Sequence, residues 1–365
     1  MKGLICGQII KRSIGFIIMT GIAILSVVSC RHKELCLQHP HKTSLRIEFD
    51  WTKCPEKVRP PEARRPYMRV YFYPVDNTGT HFWRDISPKG TVMDIPDGVY
   101  NIICYNSNNE TLQPIGKDNF DTHQAFTTYD VGILAGADGV GNLTTSERAE
   151  GTENEDVVMC VDELWGCTAV NVSIGDDKVS YTCYPEGDYS KPSDVYNDER
   201  VLTLYPTNLV CHYEYEVKHV INATNVTNVC ATISGMSGHY RFADGSIANE
   251  TVILPLSTRV VKSEDVDTEA SFKGEFLTFG HHESNEKAHK MVFYLWRSFG
   301  EEVKYEKSPD FDVTDQVDTA QDKWNVRIVI DTLELEQGPP TTGSGSPFEV
   351  VVGDYIDVNI DIPLG

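Results

Sequence analysis

An alternation of apolar and polar residues with period two runs almost unbroken from about residue 43 to the end of the chain, and it leaves few folds open. Successive side chains of an extended backbone point to opposite faces, so this pattern demands strands with one face in a core. Leu45, Ile47, Phe49 and Trp51 alternate with Arg46, Glu48 and Asp50. Cys211, Tyr213, Tyr215, Val217, His219 and Ile221 alternate with His212, Glu214, Glu216, Lys218 and Asn222, enough for one strand across a whole sheet. Met68 to Tyr73, stopped by Pro74, is a further strand, and Asp76 to Gly79 carries turn chemistry. Thr91 to Ile95 and Val99 to Tyr105, joined by Pro96-Asp97-Gly98, are expected to form a hairpin. Phe120 to Tyr129, Thr251 to Val261 and Ala270 to Phe279 continue the series, and Met291 to Trp296 is apolar throughout, as in a strand buried on both faces. Trp324, Val326, Ile328 and Ile330 occupy even positions but Leu333 and Leu335 odd ones, which places a bulge near Asp331. Ile356, Val358, Ile360 and Ile362 close the series.

No stretch past residue 42 holds a helical period for more than about two turns, so the fold class is all-β. Short strands separated by turns and Greek-key-length gaps imply two tandem β-sandwiches, 43–165 and 166–365. The Gly-, Asn-, Thr- and Glu-rich segment from Leu134 to Asp156 is expected to be an exposed loop, followed by an edge strand from Val157 to Val161. Ala169 to Ile174 is expected to open the second sandwich.

The first 29 residues are of another kind. Lys11-Arg12 precedes an apolar run from Ile14 to Val28, and Val27-Val28-Ser29-Cys30 reads as a lipobox at the end of a signal peptide. The Cys30 thiol is the expected lipid attachment site, with residues 30–42 as a linker beyond it. Each buried methylene contributes about 0.8 kcal/mol, and two or three acyl chains such as palmitate hold a protein on a membrane. The address implied is the cell outer membrane, on a face that Arg31-His32-Lys33-Glu34 leaves open.

The formal charge of −22 becomes −22 − 3 = −25 once the signal, with Lys2, Lys11 and Arg12, is removed. Such a chain repels nucleic acid, which is excluded as a partner. Removing Cys6 and Cys30 leaves Cys36, Cys54, Cys104, Cys160, Cys167, Cys183, Cys211 and Cys230, of which Cys160 and Cys167 form the expected disulfide.

Catalytic patterns are missing: there is no phosphate-binding loop, no His-Glu-x-x-His and no Gly-x-Ser-x-Gly elbow, so no catalytic residue and no cofactor is expected. Ser284-Asn-Glu-Lys287 matches Ser-x-x-Lys by letters alone. His281-His282-Glu283 has metal-ligand residue types, but neighbours on an extended chain diverge. Asp310, Asp312, Asp315 and Asp318 lack the loop glycine of a calcium site and are expected to be a solvated acidic loop, so no metal is expected.

The strand ending Phe49-Asp50-Trp51, Val70-Tyr-Phe-Tyr-Pro74, Ile95-Pro-Asp-Gly-Val-Tyr100, Asn101-Ile-Ile-Cys-Tyr-Asn106 and Ile233-Ser-Gly-Met-Ser-Gly238 together resemble a family of Bacteroides-type cell-envelope lipoproteins of unassigned function. That family is similar in turn to the minor-fimbrium anchoring subunits. The resemblance implies transthyretin-like sandwiches on a lipid anchor and partners that are pilin-like subunits joined by strand addition. Asp318-Thr319-Ala320 and Asp331-Thr332-Leu333 look like the O-glycosylation tripeptide of such bacteria, at Thr319 and Thr332. The function expected is a non-enzymatic anchoring or assembly component of a fimbria-like structure. The alternative is a surface glycan- or protein-binding adhesin, with Trp83 or Tyr189 exposed, and an all-β hydrolase is the third reading.

Overall fold

The computed structural model describes residues 42–76, 79–128, 134–136, 139–141, 143–175, 178–183, 193–197, 200–263, 266 and 269–338. Cys30, its linker, Tyr189 and the strand expected at Ile356 to Ile362 lie outside them. Among the described residues no helix is long and apolar enough to cross a membrane.

The chain builds two layered β units. In the first, a sheet ordered Ser193–Asn197, Lys178–Cys183, Trp165–Gly175, Gly98–Asn106, Met68–Pro74, Phe82–Ile86 faces a three-stranded sheet ordered Val201–Leu204, Lys42–Phe49, Thr91–Pro96. Leu45, Ile47, Val70, Phe72, Ile102 and Leu202 fill the space between, all at 0% exposure. In the second, a sheet ordered Asp156–Val157, Thr251–Ser257, Val226–Ser237, Lys290–Phe299, Glu302–Lys307 packs on one ordered Arg259–Lys262, Glu269–Thr278, Cys211–Ile221, Asn325–Glu334. Tyr213, Tyr215, Val217, Phe272, Phe293 and Ile328 lie in that core.

Three sequence expectations need correction. Thr91–Pro96 and Gly98–Asn106 are both strands, but they do not pair with each other. Asp97 alone separates them, too short for a hairpin loop, so the chain turns a corner from one sheet to the other. Trp165–Gly175 hydrogen-bonds to Gly98–Asn106, and Val201–Leu204 runs parallel to Lys42–Phe49, so both belong to the first unit. The division expected at 165/166 therefore falls inside a sheet, and the second core draws its main strands from Cys211 onward. Asp156–Val157, expected at the edge of the first sandwich, instead extends the second by pairing with Thr251–Ser257.

Other expectations match the structure. Cys211–Ile221 is one eleven-residue strand. Lys290–Phe299 is central, with Met291, Phe293 and Leu295 in the sandwich and Val292 and Tyr294 beneath Leu143 and Ala149 on the other face. The phase change near Asp331 is real: the Trp324 carbonyl accepts from His212, whereas the Leu335 amide donates to Ile221. Asp331 and Thr332 are both exposed between buried Ile330 and Leu333, and Cys211–Ile221 shifts register against Glu269–Thr278 at the same level.

The units interlock. His239–Arg241 leaves the second unit to pair with Gln124–Thr127 of the first. A third core forms there from Tyr71, Tyr105, Leu112, Tyr240 and Phe242 around fully buried His123. The Ile233–Gly238 segment makes this crossing possible. Gly235 has φ of 78°, where a Cβ would lie 2.7 Å from His289 Nδ1, so glycine is required. Its amide donates to Glu155 Oε2 at 3.1 Å, and Glu155 also accepts from Thr251 Oγ1 at 2.9 Å.

Candidate functional site

The second unit ends in Asn325–Glu334, a ten-residue strand that pairs on one side only among the described residues. Val326, Ile328, Ile330 and Leu333 point into the core and fix its register beside Cys211–Ile221. Backbone groups of alternate residues point to opposite edges of a strand. The Trp324 carbonyl faces Cys211–Ile221, so before the phase change the odd residues, Arg327 and Val329, present theirs to the open side.

That side is latched by a side chain. Val329 donates to Gln316 Oε1 at 2.7 Å, and Gln316 Nε2 donates back to the Val329 carbonyl at 3.0 Å. One amide thus supplies the donor and acceptor that a neighbouring strand would supply. Gln316 sits on the short helix Thr314–Asp318, seated by buried Val317 and started by Asp312, whose Oδ1 accepts from Thr314 N at 3.0 Å. The outer face carries a ladder in which Glu216 accepts from Lys273 at 2.9 Å and from Arg327 at 3.0 Å, and these bonds hold the Glu216 carboxyl below its usual range.

The remaining edges of this unit differ. Asp156–Val157 and Arg259–Lys262 are short, and Glu302–Lys307 carries four charged residues, a common protection against edge pairing.

A groove of about 680 Å³ opens along another side of the same sandwich, lined by Met159, Cys160, Cys230, Leu256, Thr258 and Phe276. Cys160 Sγ donates to the Pro255 carbonyl at 3.3 Å, and burial pushes the Cys230 thiol up to about 12. The structure separates the cysteines expected to bridge. Cys160 lies in this groove, while Cys167 is a free thiol in the first core, opposite Cys104 across two paired strands. The intervening Leu164-Trp165 turns the chain back into the first sheet, which carries the two sulfurs apart. Burial, with Cys167 alongside, raises the Cys104 thiol well above its ordinary value.

Thr319 and Thr332 are both exposed, the first just after the short helix and the second on the edge strand. Trp83 is 43% exposed on the Phe82–Ile86 edge strand, with the Arg69 guanidinium 4.4 Å over its ring. A second groove of about 620 Å³ follows that strand from Thr80 to Asp85. Two groups of metal-ligating side chains converge among the described residues: His281, His289 and Asp318, and His212, Glu214 and Glu275. The His281-His282-Glu283 triplet does not close on itself, because Glu283 pairs with Lys323. Gln316 was not legible as a site residue, since a lone glutamine in a polar loop has no pattern that betrays an edge beside it.

The curated protein "Putative fimbrium anchoring subunit Fim4B" of Bacteroides ovatus is 25% identical over 150 residues, 41% of this chain and 40% of that protein, so the match spans well under half of the relative. A solved structure of a "putative adhesin" from Bacteroides ovatus superposes with a TM-score of 0.52 at 18% identity, covering 86% of this chain and 98% of that one. The fimbrial anchor protein Mfa2 from Porphyromonas gingivalis aligns at 14% identity and a TM-score of 0.41, over 79% of this chain and 91% of its own. The all-β layered fold is thus shared with that solved Bacteroides ovatus protein. Residues 29–257, more than half of the chain, match the family model described as a domain of unknown function, DUF5119, and the chain belongs to that family.

Proposed function

We propose that this protein is a non-enzymatic lipoprotein of the cell outer membrane that anchors or assembles a fimbria-like surface structure. The observation that carries the reading is the Asn325–Glu334 edge, ten residues long, core-anchored and closed on its open side by one glutamine amide. A pilin-like strand that replaced Gln316 would gain main-chain hydrogen bonds along this edge, the usual source of affinity in strand addition. The name of the Bacteroides ovatus relative supports the same reading. The lipid attachment point is Cys30, beside the first residue of the family match. Thr319 and Thr332 are proposed glycan acceptors, and glycosylation at Thr332 would bear on the edge itself.

The test combines three forms of the full chain expressed in a Bacteroides-type host. Wild type should fractionate with the outer membrane, carry the acyl mass and bring pilin-like subunits with it. Cys30→Ala should leave the membrane; its retention there would sink the lipid anchor. Arg327→Pro removes an amide from the open side while sparing the backbone hydrogen bonds to Cys211–Ile221, and it should release the subunits. Subunits that stay bound to a folded Arg327→Pro protein would move the attachment away from this edge.

A second reading, a glycan- or protein-binding adhesin, rests on exposed Trp83 beside the 620 Å³ groove. Trp83→Ala should then abolish retention on a glycan or host-protein array while leaving subunit capture intact.

A further inference from the structure

The two ends of the loop between Glu269–Thr278 and Lys290–Phe299, together with a short helix further along the chain, bring two imidazoles to one carboxylate. His281 follows Gly280 at the end of Glu269–Thr278, His289 immediately precedes Lys290–Phe299, and Asp318 is the last residue of the Thr314–Asp318 helix. His281 Nε2 lies 3.4 Å and His289 Nε2 3.5 Å from the same Asp318 Oδ1, with the rings 5.0 Å apart at 70°. We propose that His281, His289 and Asp318 form a binding site for a divalent transition-metal ion, zinc above all.

The geometry fits an ion better than a pair of hydrogen bonds. Both contacts exceed the usual 2.7–3.2 Å of an N–H donor on oxygen. Two ligands at zinc bond lengths of about 2.0–2.2 Å in a tetrahedron stand about 3.3–3.5 Å apart. All three ligand atoms lie within 4.8 Å of one another, so one ion can reach each.

The supporting contacts also match a metal-binding imidazole. His289 is 1% exposed, and its Nδ1 faces the Ser234 carbonyl at 3.3 Å, which fixes that nitrogen as the donor and leaves the Nε2 lone pair aimed at Asp318. Its backbone is tied to the helix: His289 N donates to Thr314 Oγ1 at 2.8 Å, and Val313 N donates to the His289 carbonyl at 2.8 Å. Asp318 is 45% exposed, so the fourth position opens to solvent and gives an ion an entry path. The other group, His212 with Glu214 and Glu275, lies on a solvated sheet face where Glu275 is 75% exposed, and it has no comparable support.

The site shares the Thr314–Asp318 helix with Gln316 but takes no ligand from the Asn325–Glu334 strand, so metal content and subunit capture are read as separate measurements. The full chain, stripped with a chelator, is dialysed against Zn²⁺ alone and its metal content measured. One tightly held ion per chain is expected, together with a raised melting temperature. Co²⁺ in its place should give the strong visible absorption of a tetrahedral N/O site. His281→Gln and Asp318→Asn should each weaken Zn²⁺ binding at least about tenfold while circular dichroism stays native. His212→Gln should retain the ion. A wild-type chain that holds no stoichiometric Zn²⁺, or folded His281→Gln and Asp318→Asn proteins that bind it undiminished, would overturn the proposal.

Discussion

Two strands of this molecule, Lys42–Phe49 and Asn325–Glu334, have the same alternating burial and opposite surroundings. Lys42–Phe49 is backbone-paired on both sides, antiparallel to Thr91–Pro96 and parallel to Val201–Leu204. Among the described residues, Asn325–Glu334 is paired on one side with Cys211–Ile221 and closed on the other at Val329 by Gln316. Completing a sheet with a strand commits many hydrogen bonds and a row of core side chains, as Leu202 and Leu204 do in the first unit. Completing it with one amide commits two hydrogen bonds, worth about 0.5–1.5 kcal/mol each. The first unit is therefore closed at that strand, and the second can be reopened there.

The comparison breaks most readily where a whole element is pinned. Arg297 is 1% exposed and donates to Glu306 at 2.9 Å and to the Asn222 carbonyl at 2.8 Å. Arg297→Ala leaves that carboxylate without its charged partner and should cost about 3–5 kcal/mol in urea unfolding, more than any change at the latch. Leu202→Ala, in the strand that closes the first unit, should cost about 2–5 kcal/mol. A value near zero would mean that Val201–Leu204 contributes little to closure.

The seam between the units should respond to acid. His123 is fully buried, with Nδ1 2.7 Å from the Tyr73 hydroxyl and Nε2 3.3 Å from that of Tyr105, and burial lowers its pKa to about 4. Above about pH 6.5 the ring is neutral whether the chain is folded or not, so His123 contributes no pH dependence there. Between about 6.5 and 4 only the unfolded chain takes up the proton, so stability falls with falling pH by roughly 3 kcal/mol at full extent. His123→Phe should flatten that slope, and a slope that persists would place the acid sensitivity elsewhere.

The latch sharpens the comparison by a smaller but more selective effect. Gln316→Ala should cost about 1–3 kcal/mol at most and should raise the capture of pilin-like subunits; reduced capture would make Gln316 part of the attachment and not its guard. Smallest of all, Arg327→Ala removes one exposed rung of the Glu216 ladder and should change stability by less than about 1 kcal/mol, less still in high salt.

Much of the fold was legible. The alternation at Cys211–Ile221, the unbroken apolar run of Lys290–Phe299 and the phase change at Asp331 all report burial of a residue's own face, which is local information. The Ile233–Gly238 segment was recognised by resemblance, and the positive φ of Gly235 supplies its physical reason. The hairpin expected around Asp97 failed because turn chemistry shows that the chain turns without showing which sheet it turns toward. The Cys160–Cys167 bridge failed for a like reason, since six intervening residues are enough to cross from one unit to the other.

The candidate sites were less legible. Histidines at 281 and 289 stand at the two ends of one polar loop and an aspartate at 318 ends a later short helix, and only the meeting of two strand ends with that helix gathers them. The residues alone settled that nearly every segment is a strand, which face of each is buried and where the pattern slips, because side-chain alternation is a property of consecutive residues. The tertiary structure decided which strand neighbours which, where a sheet ends and what guards its end. Those depend on pairings between residues a hundred or more positions apart, such as Cys211–Ile221 with Asn325–Glu334, about which a period of two carries no information.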